Sequence, residues 1–310
     1  MGALKNIELF DNNNRPIKSL RISITQRCNF NCFFCHQEGE SKSGDELSVD
    51  EIEILVKVGV ELGIKKVKIT GGEPLLREDI IEIIQRISPH VEEVSLTTNG
   101  YRLAELACKL KDAGLSRVNI SFHSSHPDRL CKIIGCEAFD EVRLGIRASL
   151  ECDLKPVKLN MVVMKGLNDG EIGEMIAYSR EVGATLQLIE FQPLEKGEIG
   201  WEQYHFDLKP LENELEKRAK KIITREMHRR RQYVLEDGAI VEIVRPMHNT
   251  EFCQYCTRLR VTSDGYLKPC LMREDNYVDV ASIIRENKGE EVLIKAFKEA
   301  VNRREPYWRN

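Results

Sequence analysis

Short apolar strands alternate with amphipathic helices over the first two-thirds of the chain. Residues 20–25 alternate apolar and polar side chains, as a half-buried strand does. A helix is predicted to begin after Ser48, which can form a capping box with Glu51, and to end at Gly63. The pattern then repeats, with strands predicted at 67–70, 91–97, 117–121, 157–163 and 185–191 and helices at 80–87, 102–113, 139–151 and 169–182.

A series of about six strand–helix units predicts an α/β fold built on a parallel sheet with right-handed crossovers. Periodicity alone does not separate an incomplete barrel from a doubly wound sheet. After residue 194 the pattern changes to a charged helix at 208–222, a hairpin at 229–244, a cysteine-bearing segment and a final helix at 290–302. We therefore predict two domains, residues 1–193 and 194–310.

Composition narrows the function classes and the cellular setting. The 310 residues carry a net charge of −4, so there is no global basic field for nucleic acid. No apolar run is long enough to span a bilayer, and the polar start has no signal-peptide core. We expect a cytoplasmic protein whose thiols stay reduced, so the ten cysteines are interpreted as metal ligands or buried thiols rather than disulfides. The buried thiols are predicted to be Cys108, Cys131, Cys136 and Cys152.

The first cysteine group, Cys28, Cys32 and Cys35, has the spacing C-x3-C-x2-C and follows the first predicted strand. A four-iron cluster needs four ligands, so three cysteines leave one iron open to an exogenous ligand. A structural zinc site with His36 as fourth ligand is the alternative. The loop lies at the carboxyl end of a strand, where active sites of such folds gather, and this favours the cluster.

The second cysteine group, Cys253, Cys256 and Cys270, has the spacing C-x2-C-x13-C and again leaves one coordination position open. Zinc with the distant His248 is the alternative. Between these cysteines, Arg258 and Arg260 point the same way if the segment is a strand. Two guanidinium groups on one side suit a polyphosphate, although a solvated strand surface would also carry them.

The chain resembles the radical S-adenosylmethionine (SAM) superfamily, whose signature C-x3-C-x-aromatic-C is matched with Phe34 as the aromatic residue. The glycine-rich turn 71–74 closes the second strand, Thr97 to Gly100 close the third, and Ser121 ends the fourth. With the second cysteine group, the chain is similar to the two-cluster family that cyclises GTP at the first step of molybdenum cofactor biosynthesis. The resemblance runs from Arg15 to about Val301.

The resemblance implies an incomplete (β/α)6 barrel with a smaller C-terminal α+β domain closing its mouth. It implies a lyase that holds two 4Fe–4S clusters on Cys28, Cys32, Cys35 and on Cys253, Cys256, Cys270, and that uses a SAM-derived radical to convert GTP into (8S)-3′,8-cyclo-7,8-dihydroguanosine 5′-triphosphate. The positions that match GTP-binding residues of the family are Arg21, Lys68, Thr97, Lys165, Arg258, Leu259 and Arg260, with Arg21 also catalytic. The positions that match SAM-binding residues are Phe34, Gly72, Ser121 and Gln192.

The same resemblance implies partners: an electron donor such as flavodoxin or ferredoxin, the downstream cyclic pyranopterin monophosphate synthase, and a second copy of the chain in a homodimer. The sequence also departs from the family. Gln187 replaces a common arginine, Gln192 replaces a common methionine, and the chain end 304–310 lacks a Gly-Gly tail. Two other interpretations stay open: a two-cluster radical SAM enzyme with a different small-molecule or peptide substrate, and a non-catalytic zinc scaffold.

Overall fold

The computed structural model describes residues 8–40, 44–192 and 201–307, and in these ranges twelve strands form one sheet. The strands are β1 (Ser19–Ser23), β2 (Lys66–Thr70), β3 (Glu93–Thr98), β4 (Arg117–Ser121), β5 (Lys158–Val163), β6 (Thr185–Glu190), β7 (Ala219–Thr224), β8 (Arg231–Leu235), β9 (Ile240–Val244), β10 (Arg258–Val261), β11 (Tyr266–Lys268) and β12 (Val278–Asp279). Their order across the sheet is β12-β11-β10-β1-β2-β3-β4-β5-β6-β9-β8-β7.

Strands β1 to β6 are neighbours in chain order, and every pair among them is parallel. Two strands from the C-terminal part extend this core in the same direction, because β10 pairs with β1 and β9 pairs with β6. The outer strands β12 and β7 do not pair with each other in the described ranges, so the curved sheet stays open. The predicted incomplete barrel with an added C-terminal part is confirmed.

Eleven α-helices accompany the described part of the sheet. They are α1 (Val49–Glu61), α2 (Ile80–Ile87), α3 (Leu103–Asp112), α4 (Pro127–Ile134), α5 (Phe139–Glu151), α6 (Ile172–Glu181), α7 (Trp201–Tyr204), α8 (Lys209–Arg218), α9 (Thr250–Gln254), α10 (Ala281–Arg285) and α11 (Glu290–Asn302). The predicted capping box is present, because Glu51 N donates to Ser48 Oγ at 3.2 Å and Ser48 N donates to a Glu51 carboxylate oxygen at 2.7 Å. None of these helices combines the length and apolarity needed to cross a lipid bilayer.

Alternation along the parallel strands separates the hydrophobic core from the interior of the barrel. On β1, Leu20 and Ile22 are fully buried against the helices, whereas Arg21 between them faces the central cavity. On β2, Val67 and Ile69 are buried in the same way, and Lys68 faces inwards beside Arg21 in the strand register. The barrel therefore has an apolar outer side and a polar, cationic interior.

The charged helix predicted at 208–222 is shorter than expected. Helix α8 ends at Arg218, and Ala219–Thr224 forms β7, which pairs antiparallel with β8. The β-branched residues Ile222, Ile223 and Thr224 favour a strand once β8 offers an edge to pair with, so tertiary pairing overrides the helical pattern. The hairpin that joins β8 and β9 is confirmed.

The predicted domain boundary at residues 193 and 194 falls within 193–200, outside the described residues, and the two-domain division stays a prediction. Residues 308–310 of the chain end also lie outside them.

A disulfide joins Cys108 and Cys152, contrary to the expectation of reduced thiols. Helices α3 and α5 pack side by side, and this brings the two Cα atoms to 5.0 Å, within the range that a disulfide spans. The bond closes a sequence separation of 44 residues. The other eight cysteines are free, and Cys131 and Cys136 among them are half-buried.

Thiol titration tests this disulfide directly. The metal-free protein, purified without reductant and then denatured, is expected to react with eight equivalents of a thiol reagent, and with ten after reduction. The double variant Cys108→Ala/Cys152→Ala should lose about 2–4 kcal/mol of free energy of unfolding, because the cross-link restricts the unfolded chain. Ten reactive thiols before reduction would show that the bond does not form.

Candidate active site

The barrel interior is a cavity of about 1200 Å³, and both predicted cysteine groups line it. Its floor is formed by the inward-facing residues of β1 to β6, and its other walls come from the loops that carry the cysteines. The six cysteines on its surface are Cys28, Cys32, Cys35, Cys253, Cys256 and Cys270. Two thiol triads far apart in sequence therefore face one common space.

The first triad lies in the loop that follows β1. The backbone amide of Phe30 donates to Cys28 Sγ at 3.4 Å, and the amide of Gln37 donates to Cys35 Sγ at 3.4 Å. Burial raises the pKa of the Cys32 thiol, and the neighbouring sulfurs of Cys35 and Cys28 add to this effect. Three mutually close thiols with amide donors are a chemically suitable donor set for an iron–sulfur cluster.

The glycine-rich turn after β2 packs directly on this loop. Gly72 N donates to Thr25 O at 2.6 Å, and Glu73 N donates to Arg27 O at 2.8 Å. A Cβ atom at Gly72 would lie 2.3 Å from Arg27 O, so any side chain there would displace the loop. Gly72 thus allows the turn after β2 to pack closely on the cysteine loop. This packing role is additional to the SAM contact predicted for Gly72 from the sequence.

Glu73 joins this turn to the next one. Its buried carboxylate accepts hydrogen bonds from Leu75 N at 3.0 Å, Thr98 Oγ1 at 2.7 Å and Asn99 N at 2.6 Å. Burial nevertheless raises the pKa of Glu73 to about 7. The Asn99 side chain in turn donates to Asn29 Oδ1 at 2.8 Å, inside the cysteine loop. The turns that end β2 and β3 therefore act as a frame for the first triad.

The second triad is held from both ends of the chain. Cys253 lies in α9, Cys256 follows this helix, and Cys270 follows β11. Arg15 donates to the carbonyl oxygen of Cys253 at 2.8 Å, and Arg304 donates to that of Cys256 at 2.6 Å. Sequence analysis missed this support, because the arginines have no spacing relationship to the cysteines.

A buried carboxylate links these two arginines. Asp11 accepts from Arg15 Nε at 2.8 Å and from Arg304 Nη1 at 2.9 Å, and all three side chains are at most 6% exposed. The chain end that departs from the family thus begins with a structural residue. Beyond it, Glu305 and Tyr307 line the cavity.

The predicted cations of β10 face the cavity, but the residue between them does not. Arg258 and Arg260 both line the cavity, as strand alternation required. Leu259 is fully buried in the hydrophobic core on the opposite side of the strand. The same alternation that places the arginines keeps the Leu259 side chain out of the cavity, so the GTP contact predicted for Leu259 is limited to its backbone and stays a prediction.

A glutamate that sequence analysis missed connects the cysteine loop with two predicted substrate residues. Glu38 accepts from Arg21 Nε at 2.9 Å and from Arg260 Nη1 at 2.9 Å. Its burial opposes ionisation, yet the two guanidinium groups hold the pKa of Glu38 well below its usual range. Each guanidinium has five N–H donors, so Glu38 orients both arginines without using all of their hydrogen-bonding capacity.

The structure separates the two lysines of the β5 region. Lys165 is exposed in the turn after β5 and lies outside the cavity, so the GTP contact expected for it is not supported. Lys158, at the start of the strand, lines the cavity together with Asn160. The physical reason is again alternation, which turns residues 158 and 160 inwards, whereas residue 165 lies beyond the strand end.

Gln187, which replaces a common arginine of the family, belongs to a buried charge cluster. Its side-chain amide donates to Glu242 at 2.8 Å, and Arg230 Nη1 lies 2.9 Å from the same carboxylate. Lys158 also pairs with Glu242. Burial lowers the pKa of Lys158 to about 8, whereas Arg230 and Lys158 overcome the effect of burial and lower the pKa of Glu242 to about 2. Arg230 thus supplies a cation beside the uncharged Gln187.

The remaining predicted ligand-binding positions all face the cavity. These are Phe34, Gly72, Thr97, Ser121 and Gln192, together with Arg21 and Lys68. Phe34 packs edge-on against His123, with ring centroids 4.9 Å apart.

In the described residues, no three His, Cys, Asp or Glu side chains converge on the position of a single metal ion. His36 Nδ1 accepts from Glu38 N at 3.1 Å, and His248 lines a different cavity from the cysteines. In an iron–sulfur cluster each cysteine binds its own iron, so the ligands lie further apart than those of one ion. Two sets of three thiols fit that chemistry.

A cysteine loop after the first strand of an open parallel barrel is typical of radical SAM enzymes. A family model described as the radical SAM superfamily matches residues 22–178, and one described as Molybdenum Cofactor Synthesis C matches residues 184–310. The chain is 50% identical to the probable GTP 3′,8-cyclase of Thermococcus kodakarensis, over 97% of this chain and all of the relative. It is 46% identical to the probable GTP 3′,8-cyclase of Methanocaldococcus jannaschii, over 95% and 97% of the two chains.

The chain therefore belongs to the GTP 3′,8-cyclase family of radical SAM enzymes. This membership argues against the non-catalytic zinc scaffold.

Solved structures show the same fold at low sequence identity. Streptococcus suis SuiB aligns with a TM-score of 0.62 at 17% identity, covering 83% of this chain and 61% of SuiB. Native anSMEcpe with bound AdoMet aligns with a TM-score of 0.59 at 19% identity, covering 84% of this chain and 76% of anSMEcpe. These likenesses support the partial barrel and carry no information on substrate.

The close packing at Gly72 makes a testable claim about the first triad. Gly72→Ala is expected to push the cysteine loop away from the turn, to destabilise the fold by about 1–3 kcal/mol, and to lower the iron content after reconstitution. Gly173→Ala is the matched control, because a Cβ there meets nothing within 4 Å and lies in helix α6. Equal iron content in both variants would contradict the packing role of Gly72.

Proposed function

We propose that this chain converts GTP into (8S)-3′,8-cyclo-7,8-dihydroguanosine 5′-triphosphate, the first step of molybdenum cofactor biosynthesis. The observation that carries the proposal is that both thiol triads line one cavity of about 1200 Å³, together with the inward-facing cations of the strands. Family membership supports the reaction, and the geometry of the cavity supports the roles that we assign to its residues. Cys28, Cys32 and Cys35 hold one 4Fe–4S cluster, and Cys253, Cys256 and Cys270 hold the second.

SAM bound at the first cluster would supply the radical chemistry that the proposed reaction of GTP requires. The chain itself provides the surroundings, which orient both molecules and exclude water. Phe34, Gly72, Ser121 and Gln192 are assigned to SAM, and Thr97 is assigned to GTP; all five line the cavity. Arg21 is the residue assigned to the reacting centre, because Glu38 fixes its guanidinium beside the cysteine loop.

The triphosphate is held by the cationic floor of the barrel. Lys68 is half-buried, its amino group donates to Asn119 at 3.1 Å, and its pKa lies well below the usual value. Burial is the main cause, and the nearby charges of Arg117 and Arg21 add to it. Like charges so close together repel one another, and a polyanion relieves that repulsion by charge-assisted hydrogen bonds. Lys158, Arg258 and Arg260 complete this set of cations.

The partners beyond GTP stay predictions. A one-electron donor such as flavodoxin or ferredoxin, transfer of product to cyclic pyranopterin monophosphate synthase, and a homodimer are all consistent with family membership.

An anaerobic turnover assay tests the proposed reaction. Reconstituted protein with dithionite, SAM and GTP is expected to give 5′-deoxyadenosine and a cyclised GTP product. Cys256→Ala should remove the cyclised product while sparing much of the uncoupled cleavage of SAM, and Cys32→Ala should abolish both. If wild-type protein forms 5′-deoxyadenosine but leaves GTP intact, the substrate is another molecule and the proposal fails.

A pair of lysine variants tests the assigned triphosphate contacts. Lys158→Met is expected to weaken GTP binding about tenfold or more, because a buried charged donor is lost, and to leave SAM binding unchanged. Lys165→Met removes the same charge from an exposed turn outside the cavity and serves as the matched control. Equilibrium binding of GTP and of SAM to the anaerobic protein gives both readouts. Equal effects of the two substitutions on GTP affinity would refute the assignment of Lys158.

A further inference from the structure

His123, which follows strand β4, is a buried residue of the active-site cavity outside the set of predicted ligand contacts. Along β4, Asn119 and Ser121 face the cavity, and His123 is the next inward position of the same alternation. Phe122 points the other way, and its ring lies 5.5 Å from the ring of Tyr178. Because β1 to β4 are parallel, His123 lies at the same end of the barrel as the cysteine loop that follows β1.

Backbone contacts with β5 fix the position and the tautomer of the imidazole ring. Val162 N donates to His123 Nδ1 at 3.2 Å. Asn168 Nδ2 donates to the carbonyl oxygens of His123 and Val162 at 2.8 and 2.9 Å, which holds the two segments together. Since an amide donates to Nδ1, that nitrogen carries no proton, and the proton of the neutral ring is on Nε2. Burial lowers the pKa of His123 to about 4, so the ring is neutral at neutral pH.

The other ring nitrogen, Nε2, is a donor that a ligand can reach. Among the described residues, the His123 ring makes its one hydrogen bond at Nδ1, so Nε2–H has no protein acceptor there. Nε2 is also not one of the five enclosed side-chain atoms of those residues that lack a partner, so part of its surface is open. The residue is only 4% exposed and lines the cavity, so this open surface faces the cavity. A donor in such a place is satisfied by an oxygen of a bound ligand.

The neighbours of the ring indicate which ligand supplies that oxygen. Phe34, a residue of the first cysteine loop that is assigned to SAM, meets the His123 ring edge-on, with centroids 4.9 Å apart. Ser121, also assigned to SAM, is two positions earlier in the chain. The cations assigned to the triphosphate meet β4 nearer its start, where Lys68 donates to Asn119 at 3.1 Å. The uncharged donor of His123 therefore lies beside the residues assigned to SAM.

We propose that His123 is a further SAM-binding residue, whose Nε2–H donates to an oxygen of the SAM carboxylate or ribose. The inference rests on the proposed binding of SAM beside the first triad and does not depend on GTP as the substrate. The amide of Val162 orients the ring through Nδ1, and the ring carries this orientation to SAM through Nε2. Phe34 packs against the ring and limits its movement.

Two substitutions separate the roles of the ring nitrogens. In His123→Asn the amide oxygen can replace Nδ1 as the acceptor for Val162 N, but the Nε2–H donor is lost. In His123→Gln the longer side chain places an amide N–H where Nε2 was, and the Nδ1 acceptor is lost. Calorimetric titration of the anaerobic, reconstituted full-length protein with S-adenosylhomocysteine should show about tenfold weaker binding for the asparagine variant and nearly wild-type binding for the glutamine variant. His126→Asn, which changes an exposed histidine paired with Glu174 outside the cavity, is the matched control and should bind as wild type.

A second ligand identifies the accepting oxygen, and GTP serves as the comparison. 5′-Methylthioadenosine has the ribose but no carboxylate, so weaker binding of it to His123→Asn assigns the contact to the ribose, and unchanged binding assigns it to the carboxylate. GTP affinity should be the same in both variants as in wild type. Wild-type affinity of His123→Asn for S-adenosylhomocysteine, an equal or larger loss in His123→Gln, or a loss confined to GTP overturns the proposal. Because S-adenosylhomocysteine binding is measured without GTP, failure of the proposed cyclisation would leave this result unchanged.

Discussion

The ion pairs of Glu38 with Arg21 and Arg260 hold the active site together. Arg21 belongs to β1 at the start of the barrel, Arg260 belongs to β10 near the other end of the chain, and Glu38 follows the first cysteine loop. The carboxylate is buried, so leaving either charge unpaired would be strongly unfavourable. One residue therefore fixes the cysteine loop, the neighbouring register of β1 and β10, and the direction of two guanidinium groups.

Alternation of side chains along the parallel strands determines which residues line the cavity. A strand that buries apolar residues against helices must turn every second residue into the barrel, and here those residues are Arg21, Lys68, Asn119, Lys158 and Gln187. The fold thus concentrates cations in the interior, where burial, together with the neighbouring like charges, lowers the pKa of Lys68. This local cluster of positive charge suits the polyanion proposed as substrate, although the chain as a whole has a net charge of −4.

Much of the fold was predictable because local patterns determine it. The six parallel strands, the capping box at Ser48 and the inward direction of Arg258 and Arg260 all follow from periods within single segments. Contacts between distant segments were not predictable in this way. Asp11 meets Arg304 across 293 residues, Cys108 meets Cys152 only because α3 packs on α5, and Ala219–Thr224 becomes a strand only where β8 offers an edge. Lys158 and Lys165 are only seven residues apart, and the sequence does not show that β5 ends between them, which leaves Lys158 buried in the cavity and Lys165 exposed.

Gln187 stands where the family commonly has an arginine, but a neighbouring arginine provides the positive charge at this wall of the cavity. Gln187 donates to Glu242, and that carboxylate also lies next to Arg230 and Lys158. An arginine at 187 would add a third cation around one buried carboxylate, whereas the observed arrangement supplies the cation from residue 230 and keeps the amide as a neutral donor. The positive potential at this wall is therefore maintained although the sequence position that usually carries it is neutral.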